Sequence, residues 1–279
     1  MQNQPQYGIC HLSLIPVRSE PSDKSELCTQ LLFGDAYTII KTSENRKWLL
    51  IHILEDNYQG WIDHFQFFEI SEVYFHKYQK TSKYFNLDIL TYLHDLQTRF
   101  PITLGSVLPF YQEDTIDLYT RKFVVKTQSN IKQATDYEKL EEIACQYLKA
   151  PYLWGGKSPW GIDCSGFTQM TYKMVGMSLP RDAYQQADCG EEIIQLQDTK
   201  SGDLAFFERE GRIVHVGIIL KSQPDQSWKP KIILNNTERL IIHALDTVRV
   251  DRLDSQGIYN LDRQQYTHSL CRIKRILPK

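Results

Sequence analysis

The stretch YLWGGKSPWGIDCSGFTQMTYKMVG, from Tyr152 to Gly176, carries the strongest structural signal in the chain. A glycine-rich loop leads to Asp163, a residue type that commonly caps helices, and apolar residues then recur at helical spacing. Gly176 is typical of the residue that follows a helix. The pattern therefore predicts a helix that begins after the loop and carries Cys164 in its first turn.

A thiol in the first turn of a helix is placed for nucleophilic chemistry. The partial positive charge of a helix N-terminus favours a thiolate, so we expect this position to lower the pKa of Cys164. The free backbone N–H groups at the same end can bind a developing oxyanion. The alternative is that Cys164 is a small buried hydrophobe, which is a common role of free cysteine.

Two histidines downstream lie on predicted strands. The alternation in GRIVHVGIIL places His215 on the same face as Gly217, and a glycine there leaves room for another group beside the imidazole. His243 follows in LIIHALDTVRVD, and a neighbouring strand would let it bond the far nitrogen of His215 and fix its tautomer. Each histidine alone also fits an ordinary core or surface position. A cysteine followed by two such histidines favours a catalytic set.

The composition narrows the possible functions. The 279 residues carry a formal net charge of −2, so we expect no nucleic-acid partner. No apolar run approaches the length of a membrane span, and the N-terminus MQNQPQYGICHLSLIPVRSEP lacks a basic region followed by an apolar stretch. We therefore expect no membrane association and a cytoplasmic location.

Six cysteines are scattered along the chain, without a C-x-x-C pair or a Cys/His cluster at zinc spacing. We expect free thiols, no metal and no cofactor.

The N-terminal half has a different character. Short apolar segments separated by turn residues run from Ile15 to about Ile70, and their alternating apolar positions, with Gly34 and Gly60, predict a small β-barrel. Residues 82–97 are compatible with a helix, whereas residues 102–126 read as strands again. Thr135 then begins a T-x-x-E capping box ahead of an amphipathic helix.

The C-terminal half, from about residue 135 to residue 279, resembles NlpC-type cysteine peptidases of the papain-like superfamily, which cleave peptides of the bacterial cell wall. The blocks that carry the resemblance are YLWGG, GIDCSGFTQMTY, LPRDAYQQ, SGDLAFF, HVGIIL and IIHALD. The resemblance implies that Cys164 is the nucleophile, His215 the base and His243 the residue that orients the base. Residues 221–239 are an insertion relative to the family pattern, and Asn235 and Asn236 within it are the alternative candidates for the orienting residue.

The same resemblance implies substrate-binding residues around the nucleophile. It places Tyr152 in the active site, and it makes Asp163 and Ser165, which flank Cys164, substrate contacts. Arg181 in LPRD fits either structural bracing or the binding of a carboxylate.

The N-terminal blocks VRSEPSDKSELCTQLLFGD, WLLI and YQGWID resemble a bacterial SH3-like domain. This combination is similar to the γ-D-glutamyl-L-diamino acid endopeptidases, which cut between the side-chain carboxyl of D-glutamate and the following diamino acid. The resemblance implies a murein peptide substrate, L-Ala-γ-D-Glu-diamino acid, whose free amine is recognised by the SH3-like domain. Glu26 and Tyr58 stand where they could bind that amine, although solvated glutamates and packed aromatics are common on such domains.

These observations predict an α+β chain in which a small β-barrel precedes a papain-like α+β catalytic domain. The expected domains are an SH3-like domain at 1–70, a second degenerate SH3-like domain or structured linker at 71–130, and the peptidase domain at 131–279. We expect a monomeric enzyme that recycles cell-wall peptides. The alternatives are an exported peptidoglycan hydrolase acting on intact wall, and a papain-like amidase or acyltransferase with another substrate. A non-catalytic wall-binding protein would not need the cysteine and both histidines.

Overall fold

A computed structural model describes residues 5–126, 130–132, 137–221 and 232–276. The chain divides into two compact units: one holds the described residues before 136 together with Trp154–Pro159, and the other holds the rest. Within the described ranges, no helix is long and apolar enough to cross a membrane.

The first unit begins with a seven-stranded antiparallel sheet. Its strands are β1 (Gln6–Ile9), β2 (Leu14–Arg18), β3 (Leu27–Leu32), β4 (Ala36–Thr42), β5 (Trp48–Ile53), β6 (Gln59–Asp63) and β7 (Glu69–Ile70). They lie in the order β3-β2-β6-β5-β4-β1-β7. Gly34 forms the turn between β3 and β4 with a φ of 85°, a conformation that favours glycine. A buried core made mainly of β-branched and leucine side chains lies on one face.

The rest of the first unit contains one helix and two small sheets. Its elements are α1 (Glu72–Lys80), β8 (Tyr84–Asn86), β9 (Leu90–His94), β10 (Arg99–Thr103), β11 (Val107–Leu108), β12 (Thr115–Leu118), β13 (Arg121–Val125), β14 (Asn130–Lys132) and β15 (Lys157–Ser158). The strand orders are β10-β9-β13-β12 and β11-β8-β14. The suggested helix at 82–97 is wrong, because Thr91 and Leu93 alternate with exposed neighbours as in a half-buried strand. The division of this half at residue 70 stays a prediction.

The second unit carries the remaining elements, preceded by a 3₁₀ turn at Tyr137–Lys139. They are α2 (Leu140–Cys145), β16 (Gly161–Ile162), α3 (Cys164–Met174), α4 (Ala183–Gln186), β17 (Glu191–Glu192), β18 (Leu204–Arg209), β19 (Arg212–Leu220), β20 (Arg239–Ala244), β21 (Val248–Leu253), β22 (Gly257–Asn260) and β23 (Gln265–Arg275). The sheet order is β17-β23-β18-β19-β20-β21-β22, and β23 also pairs with β22. Six strands therefore close into an antiparallel barrel, against which α3 packs through β19 and β20.

The two predicted helices of this unit are present, with one difference. Thr135 of the predicted capping box lies outside the described residues, and α2 begins only at Leu140 without a side-chain cap. The prediction for α3 is confirmed, since Asp163 is its N-cap and Gly176 follows its end with a φ of 85°. Every residue of α3 is buried, so this helix lies inside the unit and holds Cys164 in a fixed position.

Candidate active site

Cys164 is the first residue of α3, and the cap before it defines its surroundings. Asp163 Oδ1 accepts a hydrogen bond from the backbone N–H of Gly166 at 2.6 Å, which satisfies a donor at the helix end. The backbone N–H of Val216 donates toward the Cys164 sulfur. Because Val216 follows His215 in β19, this contact brings the strand of the predicted base to the thiol.

The expected lowering of the Cys164 pKa is wrong in this structure. Burial raises the pKa of the thiol to about 12, and the negative charge of Asp163 raises it as well. The N–H of Val216, the charge of Arg181 and the N–H of Ser165 act in the opposite direction with smaller effect. The resting cysteine is therefore a thiol, and its reaction needs a neighbouring base.

His215 and His243 form a buried pair on adjacent strands. His215 Nε2 and His243 Nδ1 lie 2.8 Å apart, and both side chains are buried. The predicted space at Gly217 is confirmed, because Gly217 lies directly opposite His243 and a Cβ there would come within 2.9 Å of the His243 Cβ. The backbone of β19 can thus come this close to His243 because residue 217 has no side chain.

The alternative orienting residues lie elsewhere. Asn235 uses its side-chain oxygen to accept the backbone N–H of Thr237 at 2.8 Å, which stabilises a turn before β20. The backbone carbonyl of Asn236 accepts a hydrogen bond from Arg239 Nη1 at 3.4 Å. His243, and neither asparagine, is therefore the residue whose ring nitrogen faces His215.

Two charged residues of β21 extend this pair, and the sequence interpretation missed both. His243 Nε2 lies 3.1 Å from Oδ2 of Asp251, whose side chain is fully buried. Arg249 donates to both oxygens of that carboxylate, from Nε at 2.7 Å and from Nη2 at 2.9 Å. The available signal was the motif VRVD, which puts Arg249 and Asp251 on one face of the strand that follows His243.

A third histidine covers His215. His268 of β23 stacks on the His215 ring with centroids 4.2 Å apart and planes at 23°. Burial holds the pKa of His215 well below its usual range, and repulsion from His243 and His268 adds to this effect. His215 is therefore neutral at rest and able to accept a proton.

Asp163, Ser165 and Arg181 form a buried polar cluster beside the nucleophile. Arg181 Nη2 lies 2.6 Å from Asp163 Oδ2, and Nη1 donates to Ser165 Oγ at 2.9 Å. Arg181 is 1% exposed and Asp163 is 5% exposed, so the pair is almost fully removed from water. Of the two roles considered for Arg181, the structure supports bracing of the helix start. The substrate-contacting role of Asp163 and Ser165 stays a prediction.

Tyr152 lies close to Cys164, so a negative charge on the sulfur would affect the pKa of the tyrosine. Burial raises the pKa of Tyr152, and the charges of Cys164 and Asp163 raise it further. Its backbone N–H donates to the carbonyl of Asp246 at 3.0 Å, which holds the residue in place while the side chain stays partly exposed. The hydroxyl is therefore a protonated donor at ordinary pH.

Glu26 and Tyr58 belong to the first unit and differ in their surroundings. Glu26 is exposed, and its Oε1 accepts a hydrogen bond from the indole N–H of Trp154 at 2.5 Å. Tyr58 is half-buried and packs against the core of the seven-stranded sheet. Packing explains Tyr58 by itself, whereas the Glu26 carboxylate is held at the surface by a fixed donor.

No three His, Cys, Asp or Glu side chains within the described ranges are arranged to hold a metal ion.

Comparison with known proteins finds a family match within each unit. Residues 149–269 match the NlpC/P60 family, and residues 17–66 match the bacterial dipeptidyl-peptidase Sh3 domain. The chain therefore carries an NlpC/P60 cysteine peptidase domain and, before it, a bacterial SH3-like domain. The predicted fold class, a small β-barrel domain followed by a papain-like α+β domain, is confirmed.

Two relatives and one crystal structure resemble this chain over most of its length. The gamma-D-glutamyl-L-lysine dipeptidyl-peptidase of Bacillus subtilis (strain 168) is 29% identical over 242 residues, which cover 79% of this chain and 80% of that protein. The protein of the same name from Bacillus cereus is 26% identical over 226 residues, covering 71% of this chain and 66% of that protein. The crystal structure of an NlpC/P60 family protein from Bacillus cereus ATCC 10987 has a TM-score of 0.74 at 18% identity, covering 98% of this chain and 100% of that one. This last likeness supports the fold.

Proposed function

We propose that the chain is an endopeptidase that hydrolyses the γ-D-glutamyl–diamino acid bond of murein peptides with a free N-terminal L-alanine. The observation that carries the proposal is the buried His215–His243 pair, at 2.8 Å, on a strand whose next N–H faces the Cys164 sulfur. The names of two relatives, gamma-D-glutamyl-L-lysine dipeptidyl-peptidases, support the choice of bond.

The geometry suits acyl transfer from an amide. The ring nitrogen of His215 that does not face His243 takes the thiol proton while the Cys164 sulfur attacks the γ-carbonyl carbon. Backbone N–H groups at the start of α3, with the Tyr152 hydroxyl, stabilise the negative charge that develops on the carbonyl oxygen. His215 then gives its proton to the leaving amine of the diamino acid. Water, deprotonated by His215, hydrolyses the thioester and regenerates the thiol.

We propose that the enzyme selects its substrate by the charge of the leading amine. Glu26 is an exposed carboxylate fixed by Trp154, which suits it to bind an ammonium group. Acylation of L-alanine, as in intact wall where the sugar occupies the amine, removes the charge and leaves the carboxylate without its partner. Tyr58 is assigned a weaker, secondary contact because it also packs in the core.

Selection for a free L-alanine amine implies which peptides the enzyme acts on in the cell. An enzyme that requires a free L-alanine amine acts on released peptides, so we propose that it recycles wall peptides as a cytoplasmic monomer. The competing functions are an exported hydrolase acting on intact wall and an amidase or acyltransferase with another substrate, and each predicts different products.

The experiment compares L-Ala-γ-D-Glu-diaminopimelate with its N-acetylated form. We expect wild type to cleave the free peptide and to act poorly on the acetylated one. Cys164→Ala should be inactive on both, whereas Cys271→Ala, which changes a partly exposed cysteine of β23, should keep wild-type activity. Equal cleavage of the free and acetylated peptides would exclude recognition of the amine and favour an enzyme of intact wall.

A further inference from the structure

The line His215, His243, Asp251 crosses three adjacent strands on one face of the barrel. Gly217 pairs with His243 and Ile241 pairs with Asp251, so each residue of the line lies diagonally across from the next. The side chains connect through contacts of 2.8 Å and 3.1 Å. A continuous chain of hydrogen bonds therefore runs from the base to a buried carboxylate that the proposed mechanism does not use.

The surroundings of Asp251 require it to be ionised. Its two oxygens accept two bonds from Arg249, one from the backbone N–H of Leu261 at 3.0 Å and one from Asn260 Nδ2 at 3.5 Å. Burial raises the pKa of Asp251, but the hydrogen bonds from His243 and Arg249 outweigh it and leave the pKa below its usual value. An ionised carboxylate only accepts hydrogen bonds.

The charge state of Asp251 dictates the hydrogens on both rings. Since Asp251 can only accept, Nε2 of His243 must carry hydrogen, and when that is the single hydrogen of the ring, Nδ1 has a free lone pair. That lone pair faces Nε2 of His215 at 2.8 Å, so Nε2 of His215 carries hydrogen and donates it. Nδ1 of His215 is left without hydrogen.

We propose that Asp251, held by Arg249, sets the tautomers of both histidines and so makes Nδ1 of His215 the acceptor of the Cys164 proton. Asp251 is a positioning residue, because it acts on the reaction through two rings. The proposal rests on the proposed function only in taking Cys164 as nucleophile and His215 as base.

Arg249 makes the arrangement stable. A buried carboxylate without a partner is strongly unfavourable, and the guanidinium supplies two charge-assisted hydrogen bonds. Arg249 also reaches Asp262 Oδ2 at 2.8 Å, and the Asp262 side chain is 78% exposed. Asp262 therefore offers a matched control, because it contacts the same arginine and, among the described residues, bonds to no histidine.

Asp251→Asn is the informative substitution, because it keeps the shape and removes one acceptor. An amide that keeps its oxygen toward Leu261 presents its NH₂ group to Nε2 of His243, which must then lose its hydrogen. The tautomers of both rings reverse, and Nδ1 of His215 becomes occupied. We expect kcat on L-Ala-γ-D-Glu-diaminopimelate to fall roughly 100-fold or more with KM nearly unchanged, as for loss of a general base.

The test combines kinetics with the tautomers themselves. Two-bond ¹H–¹⁵N correlation spectra of the ¹⁵N-histidine-labelled full chain should show Nε2–H and bare Nδ1 for both His215 and His243 in wild type, and the reverse in Asp251→Asn. Asp262→Asn should leave kcat and tautomers unchanged.

The opposite tautomers in wild type would overturn the proposal, whether or not the Asp251 variant folds. Wild-type kcat in a folded Asp251→Asn whose histidine tautomers are reversed would also overturn it, and the proposed function would stand if Cys164→Ala were inactive. Undiminished activity of Cys164→Ala would instead refute the proposed function.

Discussion

Gly217→Ala tests whether the second histidine needs the space that the sheet leaves for it. A Cβ at residue 217 would lie 2.9 Å from the Cβ of His243 and 2.8 Å from Cδ1 of Ile241. The isoleucine methyl can move, but the His243 Cβ is fixed by its own backbone, so strand β20 or the imidazole must shift by several tenths of an ångström.

The shift has two consequences of different size. Overpacking of this kind destabilises a fold by about 1–3 kcal/mol. It also displaces His243 Nδ1 from His215, and misplacement of a catalytic group by about 1 Å lowers rates roughly 100-fold. We therefore expect kcat/KM to fall by about 10-fold to 100-fold, with a moderate loss of unfolding free energy.

The assay pairs urea unfolding with hydrolysis of L-Ala-γ-D-Glu-diaminopimelate, and Gly211→Ala is the control. Gly211 has a φ of 73° and nothing within 4 Å of a Cβ, so alanine there strains the backbone by about 1 kcal/mol without touching a histidine. Both variants should lose stability, and only Gly217→Ala should lose activity. If Gly217→Ala kept wild-type kcat/KM while folded, the requirement for an unobstructed His243 would be refuted.

Three other predictions address the ion pair, the histidines and specificity. Arg181→Met should lower the unfolding free energy, measured by urea titration, by about 3–5 kcal/mol, because it leaves the buried charge of Asp163 unpaired. Arg263→Met is the control: it breaks an exposed ion pair and should change the unfolding free energy by less than about 1 kcal/mol. His268 has its pKa lowered from 6.5 to about 4, first by burial, so the unfolded chain binds a proton there that the folded chain does not. Stability should therefore fall as the pH drops from 6.5 toward 4, and His268→Phe should flatten this fall in pH-dependent unfolding. Glu26→Gln should lower kcat/KM for the free peptide by an amount that corresponds to about 1–3 kcal/mol of lost transition-state stabilisation, and it should leave kcat/KM for the acetylated peptide nearly unchanged. Equal losses of kcat/KM on both peptides would assign Glu26 a structural role.

Local signals allowed the start of α3 to be predicted from the sequence. The capping preference of Asp163, the helical spacing that follows and Gly176 act within a few residues, so tertiary context had little to override. The contact between His215 and His243 was also predictable, because alternation fixes the face of a strand and Gly217 marked the space.

Long-range packing decided the features that the sequence interpretation missed. Asp251 joins the histidines only through the register of β20 and β21, and a shift of one residue would have turned it to the other face. The pKa of Cys164 is governed by burial inside the unit, which outweighs the helix terminus. Residues 82–97 contain β8 and β9 because these segments pair with β10, β11, β13 and β14, and the most distant pair joins Tyr84 to Lys132, outside any local pattern.

Identification of the fragments released from L-Ala-γ-D-Glu-diaminopimelate by mass spectrometry tests the proposed reaction most directly. We expect two products from wild type, L-Ala-D-Glu and free diaminopimelate, with none from Cys164→Ala. Release of L-alanine, or an intact peptide after incubation with the folded, unmodified enzyme, would contradict it.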